Sequence, residues 1–221
     1  VDESIPEPVD FDEPLRIAKA VKELKLKHAV ITSVTRDDLS DGGAEMFDRT
    51  VNNIRTENDG VSIEVLIPDF NFDRSAISRV IESGPDIIAH NLETVARLYP
   101  QVRPKADYKK SLKLLEFVKD TAGKIFTKSG LMLGLGEKED EVICALKDLR
   151  ESGCDFLSIG QYLSPTLNHY PVQRYLKPQE FKEYRSLALK LGFKYVLSGP
   201  YVRSSYKASS YLDEFNCRLG V

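Results

Sequence analysis

The sequence predicts an α/β chain of repeated strand–helix units forming one parallel, open barrel. Three observations lead there. Short β-branched runs alternate with segments of helical period. Glycines end most of those segments. Polar and glycine-rich residues gather just past the strands, where barrel enzymes carry their sites. At 221 residues, one such barrel accounts for the chain as a single domain, 1–221.

The acidic, proline-bearing lead of residues 1–13 reads as a loop. A helix follows it, with Pro14 in its first turn, Asp12 and Glu13 at the positive end of its dipole, and Ile17, Ala18, Val21 and Leu24 on its apolar face. Buried parallel strands are expected at 28–34, 61–67, 86–90, 125–133, 155–160 and 194–198. Between them, Phe47/Val51/Ile54, Ile77/Val80/Ile81, Leu112/Leu115/Val118, Val142/Leu146/Leu149 and Phe181/Tyr184/Ala188/Leu191 repeat at helical spacing. Gly84, Gly123, Gly153 and Gly192 stand where left-handed C′ residues are wanted. In such an array each helix crosses over from a strand, so a chain that opens on a helix is expected to lack its first strand. The strip 201–221, beginning "YVRSSYKASSY", holds too many hydroxyls for a core strand and reads on its own as a solvated tail.

Composition narrows the function. A net charge of −3 argues against a nucleic-acid surface, and no run approaches the roughly 18 apolar residues of a membrane span. The three cysteines, Cys144, Cys154 and Cys217, are sparse and odd in number, which suits a reducing, cytoplasmic setting better than a disulfide framework; a mitochondrial or plastid matrix would fit as well.

Each polar group past a strand has a chemical and a structural reading. Asp37, Asp38 and Asp41 could bind a cation, but aspartates before glycines more often form turns and caps. His90 could be a base, and a lone histidine ending a strand is more often a hydrogen-bonded structural residue. Gly134-Leu-Gly136 could take an anion on free N–H groups, although it lacks the further residues of a nucleotide fingerprint. Lys128 could form a Schiff base in an aldolase-like barrel, against the commoner reading of an ion pair with a neighbouring strand. Tyr108, Tyr162, Tyr170 and Tyr175 are individually uninformative.

Taken in order, "VITSVTRDDLSDGGA", "VLIPDF", "HNLETVARLYPQVRP", "YKKSLKLLEFVK", "TKSGLMLGLGE", "IGQYLSPT" and "GPYVRSSYKA" resemble lipoyl synthase, a family of the radical S-adenosylmethionine superfamily, from about residue 9 to 209. The resemblance implies a partial (β/α)6 barrel of the radical SAM type that inserts two sulfur atoms, at C6 and C8, into an octanoyl group. That group is borne on a lipoyl carrier domain or H protein, and a ferredoxin- or flavodoxin-type reductant feeds the reaction. It implies S-adenosylmethionine and two 4Fe–4S clusters as cofactors. The same resemblance places Asp41, Gly42, Gly43, Asn91, Glu93, Lys128, Ser129, Glu137 and Gln161 at the cofactor wall. Ser204 would be a ligand of the auxiliary cluster, and Arg203 would orient nearby acceptors. Both cysteine motifs of the family are absent from these 221 residues. The expectation is therefore an N-terminally truncated chain, inactive as given; a non-catalytic binder of the octanoylated carrier is the remaining alternative.

Overall fold

The computed structural model describes residues 6–211. The first five residues and Cys217, with the rest of 212–221, lie outside that range. The elements follow the expected alternation: α1 (Glu13–Glu23), β1 (His28–Thr32), α2 (Ala44–Glu57), β2 (Ser62–Leu66), α3 (Arg74–Glu82), β3 (Ile87–Ala89), a one-turn α4 (Tyr99–Val102), α5 (Tyr108–Thr121), β4 (Phe126–Leu133), α6 (Glu139–Glu151), β5 (Phe156–Gln161), α7 (Pro178–Lys190) and β6 (Tyr195–Ser198). The strands line up in chain order in a six-stranded sheet. Chain contacts divide into two compact units, one ending at Ile88 and the other beginning at Ala89.

In the first unit β1 and β2 pair in parallel, His28 opposite Ser62 and Thr32 opposite Leu66. Ile63 and Val65 are buried on one face of β2, and Val51 and Ile54 of α2 and Ile77 and Val80 of α3 are buried with them. Leu24 departs from expectation: α1 stops at Glu23, and Leu24 caps it while 68% exposed. Just past β2 the chain makes a left-handed turn through Phe70, Asn71 and Phe72, with φ of 49°, 52° and 61°. The Phe70 ring meets Phe47 edge-on, with centroids 6.2 Å apart, and closes over Gly42. A Cβ at Gly42, where φ is +61°, would lie 2.8 Å from that ring.

In the second unit β4, β5 and β6 pair in parallel, Lys128 opposite Phe156 and Phe156 opposite Tyr195. Successive side chains alternate between faces. Leu131, Leu133, Leu157 and Ile159 therefore join Leu115, Leu146, Leu149 and Phe181 of the helices in one apolar core. Lys128, Gly130, Ser158 and Gly160 take the opposite face. At the start of these strands Asp155 accepts from Lys119 at 2.7 Å, Lys194 at 2.8 Å and the Thr127 N–H at 3.1 Å. Burial pushes its pKa up, but the two lysine hydrogen bonds outweigh that, and the carboxyl lies below its ordinary value.

Gly84, Gly153 and Gly192 have the left-handed backbone expected of helix stops. Gly123 does not: α5 ends through Ala122 at φ −140°, ψ 70°, so no positive φ is needed. The reading of residues 201–211 as a solvated tail is corrected in part: Tyr201, Arg203, Tyr206 and Lys207 are exposed, but Val202, Ala208 and Tyr211 are buried. Tyr211 is wholly buried, its ring 5.4 Å from Phe156 and 5.3 Å from Tyr195, and its hydroxyl donates to the Leu157 carbonyl at 3.3 Å. The carbonyl of Val202 fills the space beside Gly160 that any side chain there would need.

Two outcomes follow. Gly42→Ala meets both a positive φ and the Phe70 ring, whereas Gly60→Ala has a φ of +71° and open space. Denaturant melts should show a loss of roughly 1 kcal/mol for Gly60→Ala and about 2 kcal/mol or more for Gly42→Ala. Asp155→Asn should cost about 2 kcal/mol at neutral pH, a figure reduced because both lysines are partly solvated. Because the folded carboxyl titrates below its unfolded value, its contribution is complete above about pH 4 and fades as pH falls through the folded value. Melts from pH 6 to pH 2 should show that acid loss in the parent protein and a flatter profile in Asp155→Asn.

Candidate functional site

The carboxylates that the sequence offers past the strands are mostly spent within the chain. In the first unit Asp38 pairs with Arg36 through two contacts of 2.8 Å. Asp41 accepts from the Gly43 N–H at 2.9 Å and the Glu45 N–H at 2.7 Å, the cap role that aspartates before glycines commonly take. With Leu39, Gly43, Met46 and Arg79 it lines a cavity of about 380 Å³. Gly42 and Gly43, at φ 61° and 90°, let the chain turn into α2.

In the second unit Glu137 accepts from the N–H groups of Gly134 and Leu135 at 2.7 and 2.8 Å. The anion on the Gly134-Leu-Gly136 turn is thus the chain's own. Gln161 is likewise engaged: its amide donates to the carbonyls of Tyr162 and Arg174, both at 3.0 Å, and accepts from the Leu176 N–H at 3.0 Å, holding the loop before α7. His90 is buried against Ser111 at 3.0 Å, the structural reading. Ser129 accepts from the Leu92 N–H at 3.1 Å. Lys128, fully buried, donates to the Ser204 carbonyl at 2.7 Å, with its ammonium 4.0 Å from the centre of the Tyr211 ring. The lysine thereby ties β4 to the 201–206 strip. In that strip Ser204 is half-buried, and Arg203 is exposed and donates to the Val202 carbonyl at 2.7 Å.

The turn after β3 differs from these satisfied arrangements. The Thr94 N–H donates to the Leu92 carbonyl at 2.8 Å across Glu93, whose φ is 66°. A three-residue turn with positive φ at its centre is rare and strained for a residue with a side chain. The Glu93 backbone is gripped on both sides by β4: its N–H donates to the Gly130 carbonyl at 2.9 Å, and its carbonyl accepts from Met132 at 2.8 Å. Within this turn Asn91 Oδ1 and Thr94 Oγ1 are buried without a hydrogen-bond partner, which is costly unless something else supplies one. Glu93 has a carboxyl pushed above its ordinary 4.5 by burial, against the opposing charge of Arg103 and a hydrogen bond from Asn91. Gly130 lies opposite. A Cβ there would stand 2.8 Å from Ser158 Oγ and 2.9 Å from Asn91 Oδ1, so the glycine lets these two side chains approach the strand closely.

Asn91, Glu93, Lys128 and Ser129 therefore come from adjacent parts of the second unit, and among the described residues Asn91 Oδ1 and Thr94 Oγ1 are buried polar atoms without a partner. Gly130, Ser158, Thr94, Tyr99 and Arg103 escaped the residue-by-residue reading. A glycine inside the apolar strand "SGLML" was the available signal for Gly130, because strand glycines often mark close approach. Among the described residues no group of three or more His, Cys, Asp or Glu side chains is placed to hold a metal ion. No helix among them is long and apolar enough to cross a membrane.

Residues 2–149 match the Radical SAM superfamily. The chain is 55% identical over 208 residues to a lipoyl synthase of Alkaliphilus metalliredigens, covering 94% of this chain and 72% of that protein. It is 55% identical over 203 residues to a lipoyl synthase of Caldicellulosiruptor saccharolyticus, covering 92% and 71%. Among solved structures it resembles methylornithine synthase with a TM-score of 0.61 over 98% of this chain and 74% of that one. At 14% identity that likeness speaks for the fold alone. A chain that shares more than half its residues with these synthases and has the expected α/β succession of six parallel strands belongs to the lipoyl synthase family of the radical SAM superfamily.

Proposed function

We propose that this chain works as a lipoyl synthase and that the Asn91–Thr94 turn, packed beside Gly130, takes the nucleoside part of S-adenosylmethionine. The observation that carries the assignment is the buried, partnerless Asn91 Oδ1 facing a position where only glycine leaves room. A ligand with N–H or O–H donors answers that acceptor, and an adenosyl group offers both an amine and ribose hydroxyls. When bound, S-adenosylmethionine supplies a carbon-centred radical able to take hydrogen from an unactivated chain. The residues around it bind and orient. Asn91 accepts a donor, ionised Glu93 accepts a second, and the strained backbone fixes the angle between them. Lys128 keeps the 201–206 strip seated against β4 and β5.

The fit does not extend to the iron–sulfur clusters. Thiolates are the ligands such clusters need. Cys144 is exposed on α6 beside Asp148, and Cys154 is buried beneath the sheet, its thiol pushed up to about 12 by burial. Among the described residues neither lies with a second cysteine, and Ser204 alone is no cluster site. No step is assigned through a cluster. The substrate we assign is an octanoylated carrier domain, with the exposed Tyr201, Arg203, Tyr206 and Lys207 of the strip as the surface that would meet it, and a protein reductant as electron source. The Schiff-base reading of Lys128 loses its support: the relatives are sulfur-inserting synthases, and the ammonium is held by Ser204 and Tyr211.

Calorimetric titration with S-adenosylmethionine, and with S-adenosylhomocysteine as a stable stand-in, tests the assignment. Asn91→Ala should weaken binding roughly tenfold. Gly130→Ala should abolish it while the melting temperature moves by only a few degrees; undiminished binding by both variants would refute the assignment. The affinity should also depend on pH. As pH falls through the raised value of Glu93 the carboxylate gains a proton and becomes a weaker acceptor, so binding should drop with a midpoint above 4.5. Glu93→Gln should flatten that profile.

A further inference from the structure

The strained turn carries its own restraint, made of two side chains that follow it in sequence. The Leu92 carbonyl accepts three donors: the Thr94 N–H at 2.8 Å, the Tyr99 hydroxyl at 2.7 Å and Arg103 Nη1 at 3.3 Å. The same nitrogen of Arg103 also reaches the Asn91 carbonyl at 3.0 Å and the Tyr99 hydroxyl at 3.1 Å. Its guanidinium carbon lies 5.4 Å from the centre of the Tyr99 ring. Tyr99 is itself locked, buried at 5% exposure and packed edge-on against Tyr108 with centroids 5.3 Å apart. Tyr108 donates to Asp148 of α6 at 2.7 Å. A left-handed residue with a side chain persists only where its surroundings over-determine it. Here the surroundings are α4 and the loop after it, which fold back onto the turn they follow.

We propose that Tyr99 and Arg103 are positioning residues: together they clamp the carbonyls of Asn91 and Leu92 and so hold the strained turn in the shape that presents Asn91 and Glu93 to a ligand. This rests on the assignment of that turn as the nucleoside site, but the clamp is a property of the unliganded chain and can be read without ligand. Arg103 suits the task because the rigid guanidinium holds Nη1 at a fixed angle among three acceptors, and lysine, a point charge on a flexible stem, does not. Neither residue needs to touch the ligand.

Amide hydrogen exchange followed by NMR on the 221-residue chain tests the clamp. The Glu93 and Met132 amides are the reporters, since their hydrogen bonds to Gly130 and Glu93 lock the turn to β4. Arg103→Met should raise their exchange roughly tenfold or more while the β5 and β6 amides keep their protection. Arg103→Lys should fall between the two. Tyr99→Phe, which keeps the ring and loses the two hydrogen bonds of the hydroxyl, should move the same amides less than Arg103→Met, and it serves if Arg103→Met fails to fold. The Glu93 carboxyl, followed by its carbon shift, should titrate at higher pH in Arg103→Met, because the arginine charge opposes protonation, and at an unchanged pH in Arg103→Lys. S-adenosylmethionine affinity should fall about tenfold in Arg103→Met. Unchanged exchange at Glu93 and Met132 in both Arg103→Met and Tyr99→Phe overturns the clamp, as does loosened exchange with undiminished affinity. If the variants loosen the turn but even the parent chain binds no S-adenosylmethionine, the clamp stands and the ligand assignment falls.

Discussion

Asp155 sets what the second unit can display. Its carboxylate collects Lys119, Lys194 and the Thr127 N–H, while its own backbone pairs with Thr127 on one side and Lys194 on the other. That one residue fixes the starting register of β4, β5 and β6. In a strand a slip of one residue exchanges the two faces completely. A slip here would turn Leu131, Leu133, Leu157 and Ile159 out of their core and bury Lys128, Gly130, Ser158 and Gly160 against helices. The buried Lys128 ammonium would there lose the Ser204 carbonyl and the Tyr211 ring that meet it, at a cost exceeding a typical hydrogen bond, so register and apolar pattern support one another. The close approach of Asn91 and Ser158 at Gly130 and the seat for Val202 at Gly160 exist only in this register.

Strain at Glu93 is the local counterpart of that global constraint. Holding a non-glycine residue in a left-handed turn costs on the order of 1–3 kcal/mol. Two ladder hydrogen bonds to β4 and the contacts of Tyr99 and Arg103 offset it, at about 1 kcal/mol net for each well-made bond. The balance is close, so removing one restraint should shift the turn without unfolding the unit. Such a site can be rigid when it must accept a ligand although its backbone geometry is unfavourable by itself.

The fold was legible because its signals are local and repeated. The β-branched runs and helical repeats fall within a residue or two of the observed elements, and Pro14 and Pro178 stand in the first turns of α1 and α7. Misreadings arose where a tertiary contact overrode a local cue. Gly123 was available as a left-handed stop, but Ala122 ended α5 without it. Tyr211 looked like part of a solvated strip, yet Phe156, Tyr195 and the Lys128 ammonium gave its ring a complete set of neighbours. The site was legible only as a neighbourhood. "HNLET" announced Asn91 and Glu93, but nothing in the order of residues announces that Arg103, ten positions on, folds back onto the carbonyls of 91 and 92.

The acidic residues distinguish scaffold from site by how their charge is met. Asp38, Asp41, Glu137 and Asp155 each face cations or backbone N–H groups that are already in place. Such partners already occupy the carboxylate oxygens, which suits a cap or a brace and leaves little for a ligand to add. Glu93 follows the opposite rule: burial outweighs the distant charge of Arg103, and its carboxyl is raised. A desolvated carboxylate with one amide donor gains more from a further donor than a carboxylate that already has two or three. The same holds for the neighbouring Asn91 Oδ1 and Thr94 Oγ1, which have none. Unmet acceptors concentrated on one strained turn, in a chain that satisfies its other candidate acids internally, make that turn the place where binding energy is available.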